Sequence, residues 1–323
     1  MNGMEGIRKL KQKIGQLPFE EVEGEKSDDR VSAVWSQAPE QRIASWMEHP
    51  LVRSERLNRM VSGSPDHDCH QWFLGLARDL GVEFPVARAL SLGCGFGELE
   101  RGYSQYCFAL IHEGVDLSDV AVAEARRRAQ EAGLDHVCYR TADLNFVDLP
   151  EGRHDVVLAH QSLHHIERLE HLAEQVRRTL KPGGLFMMSE YVGLNCLQVS
   201  PVQKEFTNSL FSLLPERYLR TDDGALRQSV EVTSAQDVMT YDPSEAVRSE
   251  DIIDVMGQYF QLVGRRDFGG NVLFHGLNGI ISNFEPGDSL DDRWLHWLFE
   301  AEDCLLAEGV PSDFAVLVYR RPE

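Results

Sequence analysis

The sequence lacks the paired cysteines and long apolar stretches that mark several classes of protein. Its 323 residues include six cysteines, and no two of them form a CxxC pair. This spacing excludes the usual zinc motifs and a disulfide framework, so no metal site is predicted. No stretch reaches the roughly 18 apolar residues that a membrane span needs, and the N-terminal segment has no apolar signal-peptide core. We therefore expect a protein of the reducing cytoplasm that has no membrane partner.

Basic residues are also scarce. Lys and Arg number 32 against 52 Asp and Glu, which gives a formal net charge of −20 at pH 7. Phosphate backbones are bound by clustered Lys and Arg, so a nucleic-acid partner is not expected. The one short basic run, at 126–128, falls in a helix-like segment and is interpreted as a solvated helix face.

Strands alternate with helices in the middle of the chain. Between Ala87 and Val192, five apolar strand-like runs are separated by helix-like segments. The clearest helix covers 119–133, with Ser118 as its N-cap and Gly133 at its end. Near-continuous apolar strands separated by helices indicate a parallel sheet covered on both faces. We therefore predict an α/β fold.

The flanking segments break this alternation. Residues 31–86 are expected to be helical, after a charged link at 20–30. A helical insertion follows the fifth strand, where it would form a lid over a ligand crevice. Next come a helix, a strand, a helix from near Leu290 and a final strand, with the two strands forming an antiparallel edge. The predicted division is a helical N-terminal cap at 1–86, a ligand-binding core at 87–192, the helical lid at 193–250 and a C-terminal part of the core with an inserted helix at 251–323.

The glycine-rich turn "LGCGFGELE" follows the first strand. Its three glycines, Gly93, Gly95 and Gly97, have the spacing GxGxG. A P-loop would require a Lys after the last glycine, and none is present. A dinucleotide fingerprint would require its third glycine one residue later, where Glu98 stands. The remaining spacing lets the backbone pass close to a bulky ligand without a pyrophosphate, although a tight strand–helix turn would also explain it.

Two acidic residues at the ends of later strands favour a nucleoside-like ligand. Asp116 ends the second strand, nineteen residues after Gly97. A carboxylate at about that distance accepts hydrogen bonds from ribose hydroxyls. Asp143 ends the third strand, where it could accept a hydrogen bond from an adenine amino group while the N–H of Leu144 bonds a ring nitrogen. Each aspartate could instead form a turn or a helix cap.

The motifs "LSLGCGFGELE", "VDLS", "ADL", "DVVLAHQSLHHI" and "LKPGGLFMMSEYVG" together resemble the class I S-adenosylmethionine-dependent methyltransferases. The segments "EYVG", "LLPERY", "DPSEAVRS" and a late "GG…LF" resemble a narrower bacterial group associated with the modification of small molecules or glycans. The resemblance to the class I family covers 87–192 in motif order. It implies S-adenosyl-L-methionine as cofactor and a Rossmann-like, seven-stranded, mostly parallel sheet whose last strand is antiparallel. By position, it implies that the three glycines pass beneath the methionine part of the cofactor, that Asp116 holds the ribose, that Asp143 and Leu144 hold the adenine, and that the backbone around His160 borders the sulfonium end.

A histidine base is the predicted catalytic group. Methyl transfer to an O–H or N–H acceptor requires removal of a proton, and histidine suits this task near neutral pH. The segment "HQSLHH" places His164 and His165 where the sulfonium end should lie, and either is a candidate base. Packing against the sheet is the alternative for each. Glu190 and Tyr191, at the end of the fifth strand, would also face the crevice if the strand register is right, although ordinary polarity at a strand end explains them equally well.

The predicted function is methyl transfer to an oxygen or nitrogen atom of a small organic molecule, such as a sugar or a secondary metabolite. Two alternatives remain open. One is a methyltransferase that acts on a protein or RNA, and the other is a cofactor-binding interaction protein without catalysis. A homodimer is compatible with the sequence, which does not define the oligomeric state.

Overall fold

A computed structural model describes residue 31 and residues 45–221 and 224–323. The link predicted at 20–30 lies outside these residues. So does the part of the predicted cap that precedes residue 45, apart from residue 31. Within them, one seven-stranded sheet has the order β3-β2-β1-β4-β5-β7-β6. The strands are β1 Val86–Leu92, β2 Ala109–Asp116, β3 Val137–Thr141, β4 His154–His160, β5 Leu180–Tyr191, β6 Gln261–Asp267 and β7 Phe314–Arg320.

The direction of the strands confirms the predicted architecture. Strands β1 to β5 pair in parallel. β7 inserts between β5 and β6 and runs antiparallel to both. The predicted antiparallel edge and Rossmann-like sheet are therefore confirmed. The apolar strand runs identified β1 to β5 because parallel strands are buried on both faces.

Helices cover both faces of the sheet and fill the segments between strands. Residues 63–68 separate the first two α-helices, and Asp68 caps the second through hydrogen bonds from the N–H groups of His70 and Gln71. The α-helices are α1 Arg59–Ser62, which continues π-helical Val52–Asn58, then α2 Cys69–Asp79, α3 Glu98–Ser104, α4 Asp119–Glu131, α5 Leu169–Thr179, α6 Pro201–Phe211, α7 Ala235–Tyr241, α8 Ile252–Tyr259, α9 Leu273–Leu277 and α10 Ser289–Ala307. Short 3₁₀ turns include Leu163–His165.

The core divides into two main layers, one on each face of the sheet. On one face the strands pack against α2, α6, α9 and α10. On the other face they pack against α5 and α8. Neighbouring residues along β5 alternate between the layers, with Phe186 and Met188 on one side and Leu185 and Met187 on the other. This period of two is the pattern expected of a strand buried on both faces.

A buried ion pair joins the N-terminal helical segment to the C-terminal part of the chain. Arg56 lies in the π-helical stretch, and its guanidinium is 2.8 Å from a carboxylate oxygen of Glu302 on α10. The other oxygen of Glu302 accepts hydrogen bonds from the N–H groups of Gly270, Val272 and Leu273 at the start of α9. These bonds compensate for the desolvation of the carboxylate. The ion pair itself joins the π-helical stretch to α10.

Residues 193–250 contain helices and no strand within the described part, as predicted. Several apolar side chains of this segment, among them Phe211 and Tyr218, are buried in the same core layer as α9 and α10. The helix predicted from near Leu290 is α10, which begins at Ser289, and Leu290 lies in its first turn with 43% of its surface exposed. Among the described helices, none has both the length and the apolar character to cross a membrane.

Candidate active site

A cavity of about 410 Å³ lies at the carboxyl edge of the sheet. The strand order reverses between β1 and β4, so the loops that follow these two strands diverge and leave a crevice. The structure brings most of the predicted site residues together here. Those that line the cavity are Gly93, Gly95, Asp116, Asp143, Leu144, His160 and His165. Gly97 and His164 are not among its lining residues.

The three glycines of the turn after β1 serve different purposes. All have positive φ angles, +66° at Gly93, +50° at Gly95 and +74° at Gly97, a region that glycine enters without steric cost. A Cβ at Gly95 would meet no atom within 4 Å, so this glycine faces the open cavity. A Cβ at Gly93 would meet the Cβ of Ser162 at 2.4 Å. Gly93 therefore allows the loop after β4 to approach the turn.

Gly97 lies on the protein side of the turn. A Cβ there would stand 2.3 Å from the hydroxyl oxygen of Tyr139 and 2.9 Å from the Cβ of Ala125. The Tyr139 hydroxyl also donates a hydrogen bond of 3.1 Å to the carbonyl of Gly97. The structure thus gives Gly97 a packing role against β3 and α4. Its predicted place beneath a cofactor stays a prediction.

Asp116 is fixed in place by backbone hydrogen bonds at the end of β2. Its Oδ2 accepts from the N–H of Gly95 at 2.8 Å, and its Oδ1 accepts from the N–H of Ser118 at 2.9 Å. These bonds fix the carboxylate at the wall of the cavity, which Asp116 lines.

The loop after β3 forms a second wall of the cavity. Asp143 is buried, and its Oδ1 accepts a hydrogen bond from the N–H of Asn145 at 2.9 Å. The side chain of Asn145 in turn accepts from the N–H groups of Glu167 and Arg168, both at 3.0 Å. Leu144 is buried between them. This network fixes the conformation of the loop, and its predicted contact with an adenine stays a prediction.

The loop after β4 is held in place by hydrogen bonds to the side chain of Glu190. This residue is fully buried on β5. Its Oε1 accepts from the N–H groups of Ser162 and Leu163, at 2.8 and 2.9 Å, and its Oε2 lies 2.8 Å from Nδ1 of His164. The expectation that Glu190 and Tyr191 face the crevice was wrong. Tyr191 is buried, and its hydroxyl donates to the carbonyl of Leu194.

His164 is part of this support. Burial lowers the pKa of His164, but the hydrogen bond and the charge of Glu190 outweigh burial, so the pKa is raised overall. Its Nε2 is 3.8 Å from a carboxylate oxygen of Glu245, and its carbonyl accepts a hydrogen bond from Val247. His164 therefore joins β5 to residues 193–250 and does not face the cavity.

His165, the next residue, does line the cavity. Its Nδ1 lies 3.2 Å from the hydroxyl oxygen of Ser244, and that hydroxyl donates to Oδ1 of Asp242 at 2.6 Å. Because the Ser244 proton is used toward Asp242, Ser244 accepts from Nδ1 of His165. The lone pair then lies on Nε2, a buried atom with less than 1 Å² of accessible surface. Of the two predicted bases, His165 is the one whose ring lines the cavity, and its role as a base stays a prediction.

His160 borders the cavity at the end of β4 through its side chain as well as its backbone. The ring is open to the cavity and its centroid lies 5.0 Å from that of His70 on α2. The position deep in the protein and the neighbouring His70 lower the pKa of His160 to about 4. The ring is therefore neutral at physiological pH and can act as a metal ligand or hydrogen-bonding group.

The charge of the cavity has one sign. Its lining includes the carboxylates of Glu48, Glu98, Asp116 and Asp143, and no Lys or Arg among the residues that the structure describes. Such a surface favours cationic or neutral ligands and opposes phosphates. Sequence reasoning missed Glu48 and Ser244, which come from distant segments. It also missed Asp242, although the cluster "DPS" signals a polar turn.

The family comparison agrees with this site. Residues 90–188 match the family model described as "Methyltransferase domain". With the sheet order and the cavity at its switch point, this match identifies the segment as a class I S-adenosylmethionine-dependent methyltransferase domain. The cofactor of that family is S-adenosylmethionine.

Curated relatives match part of the chain. The 24-methylenesterol C-methyltransferase 3 of Arabidopsis thaliana is 29% identical over 134 residues, which cover 41% of this chain and 37% of the relative. The 27-O-demethylrifamycin SV methyltransferase of Amycolatopsis mediterranei is 32% identical over 106 residues, 32% of this chain and 39% of the relative. The chain thus spans less than half the length of either relative.

One solved structure is similar over most of the chain. It is a geranyl diphosphate methyltransferase in complex with GPP and sinefungin. The TM-score is 0.52 at 14% identity, with 91% of this chain and 98% of that chain covered. This likeness supports the fold, including the segments that flank the methyltransferase domain.

Proposed function

We propose that this chain transfers a methyl group from S-adenosylmethionine to an oxygen or nitrogen atom of a small organic molecule. The observation that supports the proposal most is the cavity itself. It joins a glycine turn, two fixed carboxylates and the ring of His165. When bound, the cofactor supplies a methyl carbon activated by the adjacent sulfonium.

The residues fit that cofactor. The open side of Gly95 leaves space that a Cβ would fill. Asp116 would accept hydrogen bonds from the ribose hydroxyls, and Asp143 with Leu144 offers an acceptor beside an apolar surface for a base. The acidic lining suits the positive charge of a sulfonium. Gly93, Gly95, Asp116, Asp143, Leu144 and His160 would therefore hold the cofactor.

His165 would act as the base. Its Nε2 has less than 1 Å² of accessible surface, so the ring would shift toward the cavity to receive a proton from an acceptor hydroxyl or amine at this nitrogen. Asp242 behind Ser244 would stabilise the positive charge that the ring then carries. Residues 193–250 would act as the lid, since Ser244 from this segment reaches the cavity wall and His164 anchors the segment to the loop after β4.

The charge of the cavity narrows the acceptor class. With four carboxylates and no described cation in its lining, the cavity would favour a neutral or cationic acceptor over one that carries a phosphate. An acceptor carbon is a second candidate, because one of the matched relatives is named as a sterol C-methyltransferase. The cytoplasmic location and the homodimer remain predictions.

Methyl transfer from radiolabelled cofactor to a panel of neutral, cationic and phosphorylated small molecules tests the proposal. We expect turnover with a neutral or cationic acceptor, and a 10²- to 10⁴-fold lower kcat in His165→Gln with an unchanged Kd for the cofactor. His296→Gln, at an exposed position on α10, is the matched control and should retain full activity.

Three results would contradict the proposal. Absence of cofactor binding would remove the methyltransferase function. Turnover only with phosphorylated acceptors would contradict the charge argument. Full activity of His165→Gln would show that His165 is not the base.

A further inference from the structure

Three metal-ligating side chains converge beside the cavity. Cys69 and His70 occupy the first turn of α2, and His160 ends β4. The Sγ atom of Cys69 and one ring nitrogen of each histidine lie within 4.8 Å of one another. The two elements are distant in sequence and meet because α2 packs over the sheet.

His70 is already oriented as a metal ligand would be. Its Nδ1 lies 3.1 Å from the hydroxyl oxygen of Tyr103, a residue that is 2% exposed. The two rings also make an edge contact with centroids 5.2 Å apart. Histidines that bind metals usually engage their second nitrogen in such an outer hydrogen bond, which fixes the ring and the tautomer. Nε2 of His70 is therefore the nitrogen available to a metal.

We propose that Cys69, His70 and His160 bind one zinc ion on the wall of the cavity. One thiolate and two imidazoles are a donor set that zinc prefers. Three protein ligands with an open fourth position are typical of zinc sites that contact a substrate. His160 alone of the three lines the cavity, so the open position would face the ligand space.

The spacing requires a small contraction. Tetrahedral zinc with Zn–N near 2.0–2.1 Å and Zn–S near 2.3 Å places its donor atoms about 3.3–3.6 Å apart. The donor atoms now lie within 4.8 Å of one another. Side-chain rotation would have to shorten the longest of these separations by about 1 Å. Burial raises the pKa of the free Cys69 thiol to about 12, and coordination would release that proton.

The ion would give the site a means of selecting its acceptor. An oxygen, nitrogen or sulfur atom of a neutral acceptor could occupy the open position and so be fixed in the cavity. This role rests on the proposed methyl transfer, whereas the metal site itself does not.

Zinc and cobalt binding to the full-length chain, purified without a histidine tag and stripped with a chelator, tests the site. Zinc affinity would be measured by competition with a chromophoric chelator. Cobalt would be followed by its thiolate charge-transfer absorption. We expect one equivalent to bind, and Cys69→Ala to abolish the charge-transfer band. His160→Ala should weaken zinc binding at least as much as Tyr103→Phe, which removes only the outer partner of His70 and should cost about 10- to 100-fold.

The controls are Cys304→Ala and His296→Ala, at exposed positions on α10, and both should bind zinc as the unmodified chain does. Circular dichroism would verify that each variant is folded. Equal zinc binding by Cys69→Ala and the unmodified chain would overturn the proposal. So would loss of binding only in His165→Ala, since His164, His165 and Glu245 form a second group of this kind. Cofactor affinity, measured on the metal-free protein, shows separately whether the proposed function holds.

Discussion

Glu100 should make the stability of the protein depend on pH. The residue lies in the first turn of α3, directly below the glycine turn, and its side chain is fully buried. No hydrogen bond of normal geometry among the described residues reaches either carboxyl oxygen. Burial raises the pKa of Glu100 from 4.5 to about 7, although the nearby hydroxyls of Ser91 and Tyr139 act in the opposite direction.

The size of the effect follows from this pKa difference. Each pKa unit corresponds to about 1.4 kcal/mol, so the shift from 4.5 to about 7 amounts to roughly 3 kcal/mol. Because the folded-state pKa is the higher one, the contribution of Glu100 to stability is complete below about pH 4.5. It is lost as the pH rises through about 7. Above that pH, folding has to maintain a buried negative charge.

Urea unfolding of Glu100→Gln and the unmodified chain at pH 5, 6, 7 and 8 measures this contribution. Gln keeps the volume of the protonated acid and cannot ionise. We expect the variant to gain stability relative to the unmodified chain as the pH rises, by up to about 3 kcal/mol at pH 8. Glu98→Gln is the control, because Glu98 lies in the same turn and is exposed. Parallel pH dependences of Glu100→Gln and the unmodified chain would refute the reasoning.

Two further predictions concern the glycine turn and its acidic partner. Gly97→Ala should destabilise the fold by about 2–5 kcal/mol in urea unfolding, because a positive φ and a clash with Tyr139 add together. Gly95→Ala should cost only about 1–2 kcal/mol while weakening cofactor binding in calorimetry; the reverse order of the two variants would contradict the assigned orientations. Asp116→Asn should weaken cofactor binding about 10- to 150-fold, because the variant loses a hydrogen bond to a charged group. A Kd within threefold of the unmodified value would exclude Asp116 as a ligand.

The sheet and most of the cavity could be predicted from sequence because local signals carry them. Apolar runs identify buried strands, and the first polar residue after a parallel strand lies at the carboxyl edge. This placed Gly95, Asp116 and Asp143 correctly at one crevice. The helical character of 193–250 followed in the same way from the absence of strand-like runs.

Side-chain direction at the site could not be predicted in this way. His164 and His165 are adjacent, and only the buried carboxylate of Glu190, 26 positions after His164, decides which of them faces inward. Gly97 fits a ligand-binding spacing, yet its missing side chain makes room for Tyr139 on another strand. No local sequence motif predicts the cluster of Cys69 with His160, because the two residues are distant in sequence and meet only through the packing of α2 across the sheet.

The attachment of the loop after β4 to Glu190 has a consequence for how the acceptor preference of such a protein could change. The floor of the cavity is fastened to the sheet through three hydrogen bonds to one buried side chain, whereas Glu48 and Ser244 reach the walls from segments outside the sheet. Substitutions in those outer segments can reshape the walls without moving the floor. Acceptor choice and cofactor binding can therefore diverge independently.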